Sequence, residues 1–67
     1  MTKKEKAVFD KLLVRQKLLR AEIKRISPYF EIIKETDKRI FDQHYGECLG
    51  IEYALANLGI AFESVDD

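Results

Sequence analysis

The chain has 67 residues, of which 46% are hydrophobic and 36% are charged, and its formal net charge is zero. This composition is typical of a folded helical protein rather than a disordered one, and the length fits one domain over residues 1–67. The single cysteine, Cys48, excludes a disulfide within the chain and favours a reducing compartment. The hydrophobic core of so short a chain provides a net folding stability of roughly a few kcal/mol. Self-association is a natural further source of stability.

Four of the first six residues, Met1 to Lys6, are charged, and no apolar segment of the kind found in signal peptides follows them. No apolar run approaches the roughly 20 residues that a membrane-spanning helix needs. We therefore expect a cytoplasmic protein that makes no membrane contact.

A first helix is predicted from about residue 3 to about residue 26, because strong helix formers dominate this stretch. Its apolar residues recur every three or four positions, which is a helical rather than a strand period. Only Gln16 interrupts this core stripe. The stripe consists of Phe9, Leu12, Leu19, Ile23 and Ile26.

The chain's one proline follows this helix, in the pair Ser27-Pro28. Ser27 is a natural N-cap, and proline suits the first position of a helix, so a short middle helix is expected over about 28–35. The alternative is a kink in a continuous helix, because Phe30 and Ile33 maintain the apolar spacing.

A last helix is predicted over about 38–58, with Thr36-Asp37 as its cap. Its apolar positions again have helical spacing, with His44 filling one place in the row. They are Phe41, Cys48, Ile51, Leu55 and Leu58, followed by Phe62 beyond the helix end.

Gly59 is placed to adopt a left-handed conformation just after this helix, with Ile60 packing back on the last turn as a Schellman motif. Residues 60–67 are then expected to form an extended tail, held against a helix by Phe62. The predicted fold is all-α: an antiparallel helical hairpin with a short middle helix or a kink at Ser27-Pro28, assembling into a helical-bundle dimer.

The first helix carries a second stripe on the side opposite its core stripe. Val14 and Leu18 are its large apolar members, and such an aligned pair is typical of a contact surface. It is either covered by the middle helix or the tail, paired with a second copy of the chain, or a docking face for another protein. The predicted partner-binding residues are Lys11, Val14, Arg15, Leu18, Ala21 and Arg25.

Small residues form a row on the last helix, at Gly46, Gly50 and Ala54. Glycine inside a helix costs about 1 kcal/mol relative to alanine, so this row is predicted to allow close helix packing. The close neighbour is either the first helix or another subunit, and a row without a role is the remaining alternative.

His44 and Cys48 are one helical turn apart, so both could face one metal ion. A structural zinc site needs four ligands, and this chain has no further His or Cys, so only a dimer could complete one. A packed thiol beside a hydrogen-bonded imidazole is the favoured interpretation, and nothing in the sequence orients a nucleophilic Cys–His pair. We expect no metal, no cofactor and no enzymatic activity.

Charge is distributed unevenly: residues 1–26 hold nine basic and three acidic residues (+6), and residues 27–67 hold three and nine (−6). Two helices of opposite charge packing together explain this most simply. The sequence therefore predicts a small non-catalytic protein–protein interaction module that self-associates and binds a further protein. One alternative is a nucleic-acid-binding module that uses the basic first helix. A less favoured alternative is a protein whose acidic face imitates nucleic acid and binds a basic target.

Overall fold

The computed structural model describes residues 2–67, and over this range the fold is built from helices. Helix α1 spans Lys3–Ile26, a 3₁₀ helix spans Ser27–Ile32, and helix α2 spans Glu35–Asn57. The Thr2 side chain caps α1 by accepting a hydrogen bond from the Glu5 N–H at 3.1 Å. The all-helical class predicted from the periodicities is confirmed.

The corner between the helices differs from the predicted one. Ser27 is not an extended N-cap: its backbone is right-handed helical (φ −48°, ψ −43°), and its N–H still donates to the Ile23 carbonyl. Pro28 then lies in the first turn of the 3₁₀ helix, where a missing N–H costs no helical hydrogen bond. The chain thus passes from an α to a 3₁₀ helix at this point without leaving the helical region.

Helix α2 begins three residues before the expected start. The chain leaves the helical region at Ile33 and Lys34, which are both extended, and Lys34 is the N-cap. The predicted cap at Thr36-Asp37 is wrong because both residues already lie in the first turn. The carboxylates of Glu35 and Asp37 in that turn interact favourably with the helix dipole.

The end of α2 is a Schellman motif, as predicted. Gly59 has a positive φ of 73°, its N–H donates to Ala56 O at 3.1 Å, and the Ile60 N–H donates to Leu55 O at 3.0 Å. These two bonds satisfy carbonyls that the helix end would otherwise leave unpaired. They also turn the chain back toward α1.

The two helices pack antiparallel. Arg15 of α1 bonds Glu47 of α2, whereas Ile23, later in α1, lines a groove with Phe41, which comes earlier in α2. The core therefore lies along the facing stripes. Its buried members are Leu19, Ile23, Cys48, Leu55 and, from the tail, Val65.

Leu58 is the exception among the predicted core positions, since it is 49% exposed at the end of α2. The tail, residues 60–67, runs back along α1 and α2. Phe62 is half-buried in the groove between the tail and α1, but the main apolar anchor of the tail is Val65, which is only 4% exposed. Neither α1 nor α2 is long and apolar enough to cross a membrane.

Candidate interaction surface on the first helix

One face of α1 carries apolar side chains that the other described residues leave uncovered. Val14 is 57% exposed and Leu18 is 61% exposed, and the two lie one helical turn apart. Their side of α1 is turned away from Leu19 and Ile23, which pack against α2 and the tail. The interpretation in which the middle helix or the tail covers these two side chains is therefore wrong.

The other predicted members of this face are also exposed: Lys11, Arg15, Ala21 and Arg25. Arg15 binds Glu47 of α2 through two hydrogen bonds, from Nε at 3.2 Å and from Nη2 at 3.1 Å. These hydrogen bonds hold the pKa of Glu47 below its usual range. Arg25 pairs with Glu22 one turn away on α1, which lowers the pKa of Glu22 in the same way. Two of the three rim cations are thus balanced within the chain.

The centre of this face is a shallow, open depression of about 330 Å³. Its lining is mainly apolar carbon, with charges confined to its edge. Sites for small molecules usually enclose most of the ligand surface, which an open depression on a single helix does not do. The shape suits contact with another protein surface. The lining residues are Asp10, Lys11, Val14, Arg15 and Leu18.

The predicted row of small residues lies on the outer side of α2. Gly46 and Gly50 are exposed, and a Cβ built on either glycine would meet nothing within 4 Å. Ala54 is only partly buried. The prediction that α1 crosses α2 closely at this row is therefore wrong. Helix α2 packs on α1 through Cys48, which lies on the opposite side of α2 from the row. Close packing of the row against another subunit stays a prediction.

The corner holds a second group of exposed apolar side chains. Tyr29, which follows Pro28, is 57% exposed, and Ile32 is 81% exposed. The sequence analysis missed Ile32. The exposure of Ile32 could have been predicted from the consecutive pair Ile32-Ile33, because two successive residues of a helical turn cannot both face the same core.

Cys48 and His44 do not form a reactive pair. The Cys48 thiol is fully buried and lies 3.3 Å from a carboxylate oxygen of Glu52. Burial, together with this carboxylate, raises the pKa of Cys48 to about 12, so the thiol stays protonated near neutral pH. His44 lines a groove with Ile23 and Phe41. Within residues 2–67, no three His, Cys, Asp or Glu side chains are grouped as a metal site would require.

A buried polar cluster joins the three parts of the fold, and the sequence analysis missed it. The Glu52 carboxylate accepts hydrogen bonds from Gln16 Nε2 at 3.1 Å, Ser64 Oγ at 2.7 Å and the Val65 N–H at 2.8 Å, in addition to the Cys48 thiol. Burial raises the pKa of Glu52, but these hydrogen bonds outweigh burial and leave the pKa below its ordinary value. The signal in the sequence is that Gln16 and Glu52 each occupy a core-facing position. The cluster holds the tail in place through the bonds to Ser64 and Val65.

No protein-family model, no curated protein and no solved structure matches this chain.

Proposed function

We propose that this protein is a non-catalytic protein–protein interaction module, a small regulator, inhibitor or assembly adaptor that acts as a self-associating helical hairpin. The observation that carries the proposal is the exposure of Val14 and Leu18, which lie one helical turn apart on a face of α1 that is left uncovered by the rest of residues 2–67. Removing these two side chains from water is favourable at about 25 cal/mol per Å² of apolar surface. A further protein partner and a cytoplasmic location are parts of the same proposal.

Charge supports a protein partner over nucleic acid. Four cations of α1 are already engaged within the chain: Arg15 with Glu47, Arg20 with Glu63, Arg25 with Glu22, and Lys24 with the Asp67 carbonyl. Phosphate binding relies on cations that are free to neutralise the nucleic-acid backbone. The pairs therefore weaken the basic field of α1 in the region where the apolar face lies.

The test is the mass in solution, measured by light scattering over a wide concentration range, for the natural chain and for V14E/L18E. Both substitutions place a carboxylate on an exposed helical surface close to Lys11 or Arg15, so α1 should stay folded, and circular dichroism checks this. We expect the natural chain to be a dimer and the double variant to be a monomer.

The matched control is I32E/Y53E, which adds the same two charges at apolar side chains that are 81% and 74% exposed and lie away from the α1 face. This variant should keep the mass of the natural chain. A natural chain that stays monomeric at every concentration contradicts self-association. A V14E/L18E variant that keeps the dimer mass contradicts the assignment to this face.

A further inference from the structure

Three donors of α1 lie one helical turn apart and bind the backbone of the tail. A spacing of four residues places their side chains on one flank of the helix. Because each donor binds a main-chain carbonyl, these contacts do not depend on which side chains the tail carries. The three hydrogen bonds run from Gln16 Nε2 to the Glu63 carbonyl at 2.7 Å, from Arg20 Nε to the Ser64 carbonyl at 3.1 Å, and from Lys24 Nζ to the Asp67 carbonyl.

The Glu52 carboxylate binds the tail from the side of α2. It accepts the Val65 N–H at 2.8 Å and the Ser64 hydroxyl at 2.7 Å. Glu52 is 6% exposed and Gln16 has no exposed surface, so both bind the tail away from water. A buried polar group that loses its partner is unfavourable. The site therefore selects for a hydroxyl group at the position of Ser64.

The next two positions of the tail also make contact through their side chains. Val65 belongs to the buried apolar cluster that joins α1 and α2, and the Asp66 carboxylate accepts a hydrogen bond from the Tyr45 hydroxyl. The site thus fits a non-helical segment with three side chains in succession: a hydroxyl, a β-branched aliphatic group and a carboxylate. Main-chain hydrogen bonds combined with pockets for particular side chains are a common mode of peptide binding.

We infer that the surface of α1 and α2 that holds the tail is a peptide-binding site, and that it takes a segment of a partner protein with this succession of side chains. The tail of the chain is then an internal competitor for the same site. The inference rests on the proposed function and adds the chemistry of the partner. The protein groups that form the site are Gln16, Arg20 and Lys24 of α1 with Tyr45 and Glu52 of α2.

The tail has an advantage over a free peptide because it is tethered to α2. A short linker gives an effective concentration in roughly the millimolar range, so a free peptide should bind the natural chain weakly. A partner that also contacts the exposed face of α1 holds its own segment at a comparable effective concentration and can replace the tail. In that complex, the buried Gln16 and Glu52 again have their hydrogen-bond partners.

Titration of the full 67-residue chain with a fluorescent peptide tests the inference. The peptide has the sequence of residues 61–67, and its anisotropy reports binding. Val65→Asp in the chain removes the aliphatic anchor of the tail and places a carboxylate beside Glu52, so the tail leaves its site. We expect the peptide to bind this variant with a dissociation constant at least about tenfold lower than for the natural chain, and to raise its melting temperature.

Two controls establish where and how the peptide binds. A peptide that itself carries the Val65→Asp change should bind neither protein. The chain variant Q16L/V65D lacks the donor for the Glu63 carbonyl and should bind the unchanged peptide at least about tenfold more weakly than V65D. Equal affinity of the two peptides for V65D would overturn the assigned succession of side chains. Equal affinity of V65D and Q16L/V65D would overturn the assigned site.

A second readout covers loss of structure in V65D. If this variant has little helix alone, addition of the peptide should restore the helical circular dichroism signal. The variant S64A removes one hydrogen bond of the tail and keeps Val65, so it should bind the peptide with intermediate affinity. Absence of binding to both V65D and S64A, with no gain of helix, would overturn the inference.

The mass measurement separates these outcomes from failure of the proposed function. A chain that stays monomeric but binds the peptide contradicts self-association and retains the peptide site. A chain that dimerises through Val14 and Leu18 but never binds the peptide retains self-association and loses the peptide site.

Discussion

Gln16 of α1 donates a hydrogen bond across the helix interface to the buried carboxylate of Glu52 on α2, with Nε2 and Oε2 3.1 Å apart. Gln16 is fully buried and Glu52 is 6% exposed. A carboxylate that is removed from water needs several donors to remain charged, and the tail supplies two of them, the Ser64 hydroxyl and the Val65 N–H. One charged group thus fixes the relative positions of α1, α2 and the tail.

Replacement of Glu52 by Gln should destabilise the fold by about 1–3 kcal/mol. The variant keeps the size of the side chain but replaces a carboxylate that accepts hydrogen bonds from Gln16, Ser64, Val65 and Cys48 with a neutral amide, whose NH₂ group cannot accept them. Urea denaturation measures the loss. The control is E47Q, which weakens the exposed pair between Arg15 and Glu47 and should change stability by about 0–1 kcal/mol. An E52Q variant no less stable than E47Q would show that the cluster does not stabilise the fold.

The contribution of Glu52 should depend on pH. Its pKa in the folded protein lies below the ordinary value of 4.5, so its stabilisation is complete above that value and is lost as the pH falls through the folded-state pKa. The difference in unfolding free energy between the natural chain and E52Q should therefore be largest near pH 7 and should shrink below about pH 4.5. Melting curves of both proteins from pH 7 to pH 3 measure this, and a difference that does not vary over this range would contradict it.

The Cys48 thiol should be inert in the folded protein. Burial and the neighbouring Glu52 raise its pKa from 9.0 to about 12, so little thiolate forms at neutral pH and reagents cannot reach the sulfur. A thiol reagent should modify K17C/C48A rapidly and the natural chain slowly, with the natural chain reaching the same rate in urea. Equally fast labelling of the folded natural chain would mean that the interface between α1 and α2 opens readily.

Substitution of glycine by alanine should stabilise the fold at Gly46 and Gly50 and destabilise it at Gly59. Gly46 and Gly50 lie inside α2 with open space at Cβ, so alanine at either position should stabilise the chain by about 0.5–1 kcal/mol. Gly59 has a φ of 73°, and alanine there should cost about 1–2 kcal/mol. Thermal melting measures all three variants. Light scattering of G46A and G50A adds a second test, because weakened association would show that a second subunit packs closely on this row.

The features that could be predicted from the sequence are those set by neighbouring residues. The Schellman motif depends on Gly59 and the turn before it, and the exposed face of α1 follows from spacing alone. Lys34 gave no capping signal, because its backbone rather than its side chain begins α2. The cluster at Glu52 depends on partners that are distant in sequence, such as Gln16, which lies 36 positions before Glu52. Spacing within a helix carries no information on such contacts.

The way the tail completes the buried cluster has a consequence for how the chain folds. When α1 and α2 meet before the tail arrives, Glu52 lacks the donors from Ser64 and Val65, and a half-satisfied carboxylate in a forming core is unfavourable. Docking of the two helices and closure of the tail therefore favour each other, and neither is stable alone. The hairpin should fold and unfold in a single all-or-none transition, without a populated state in which the helices are paired and the tail is free.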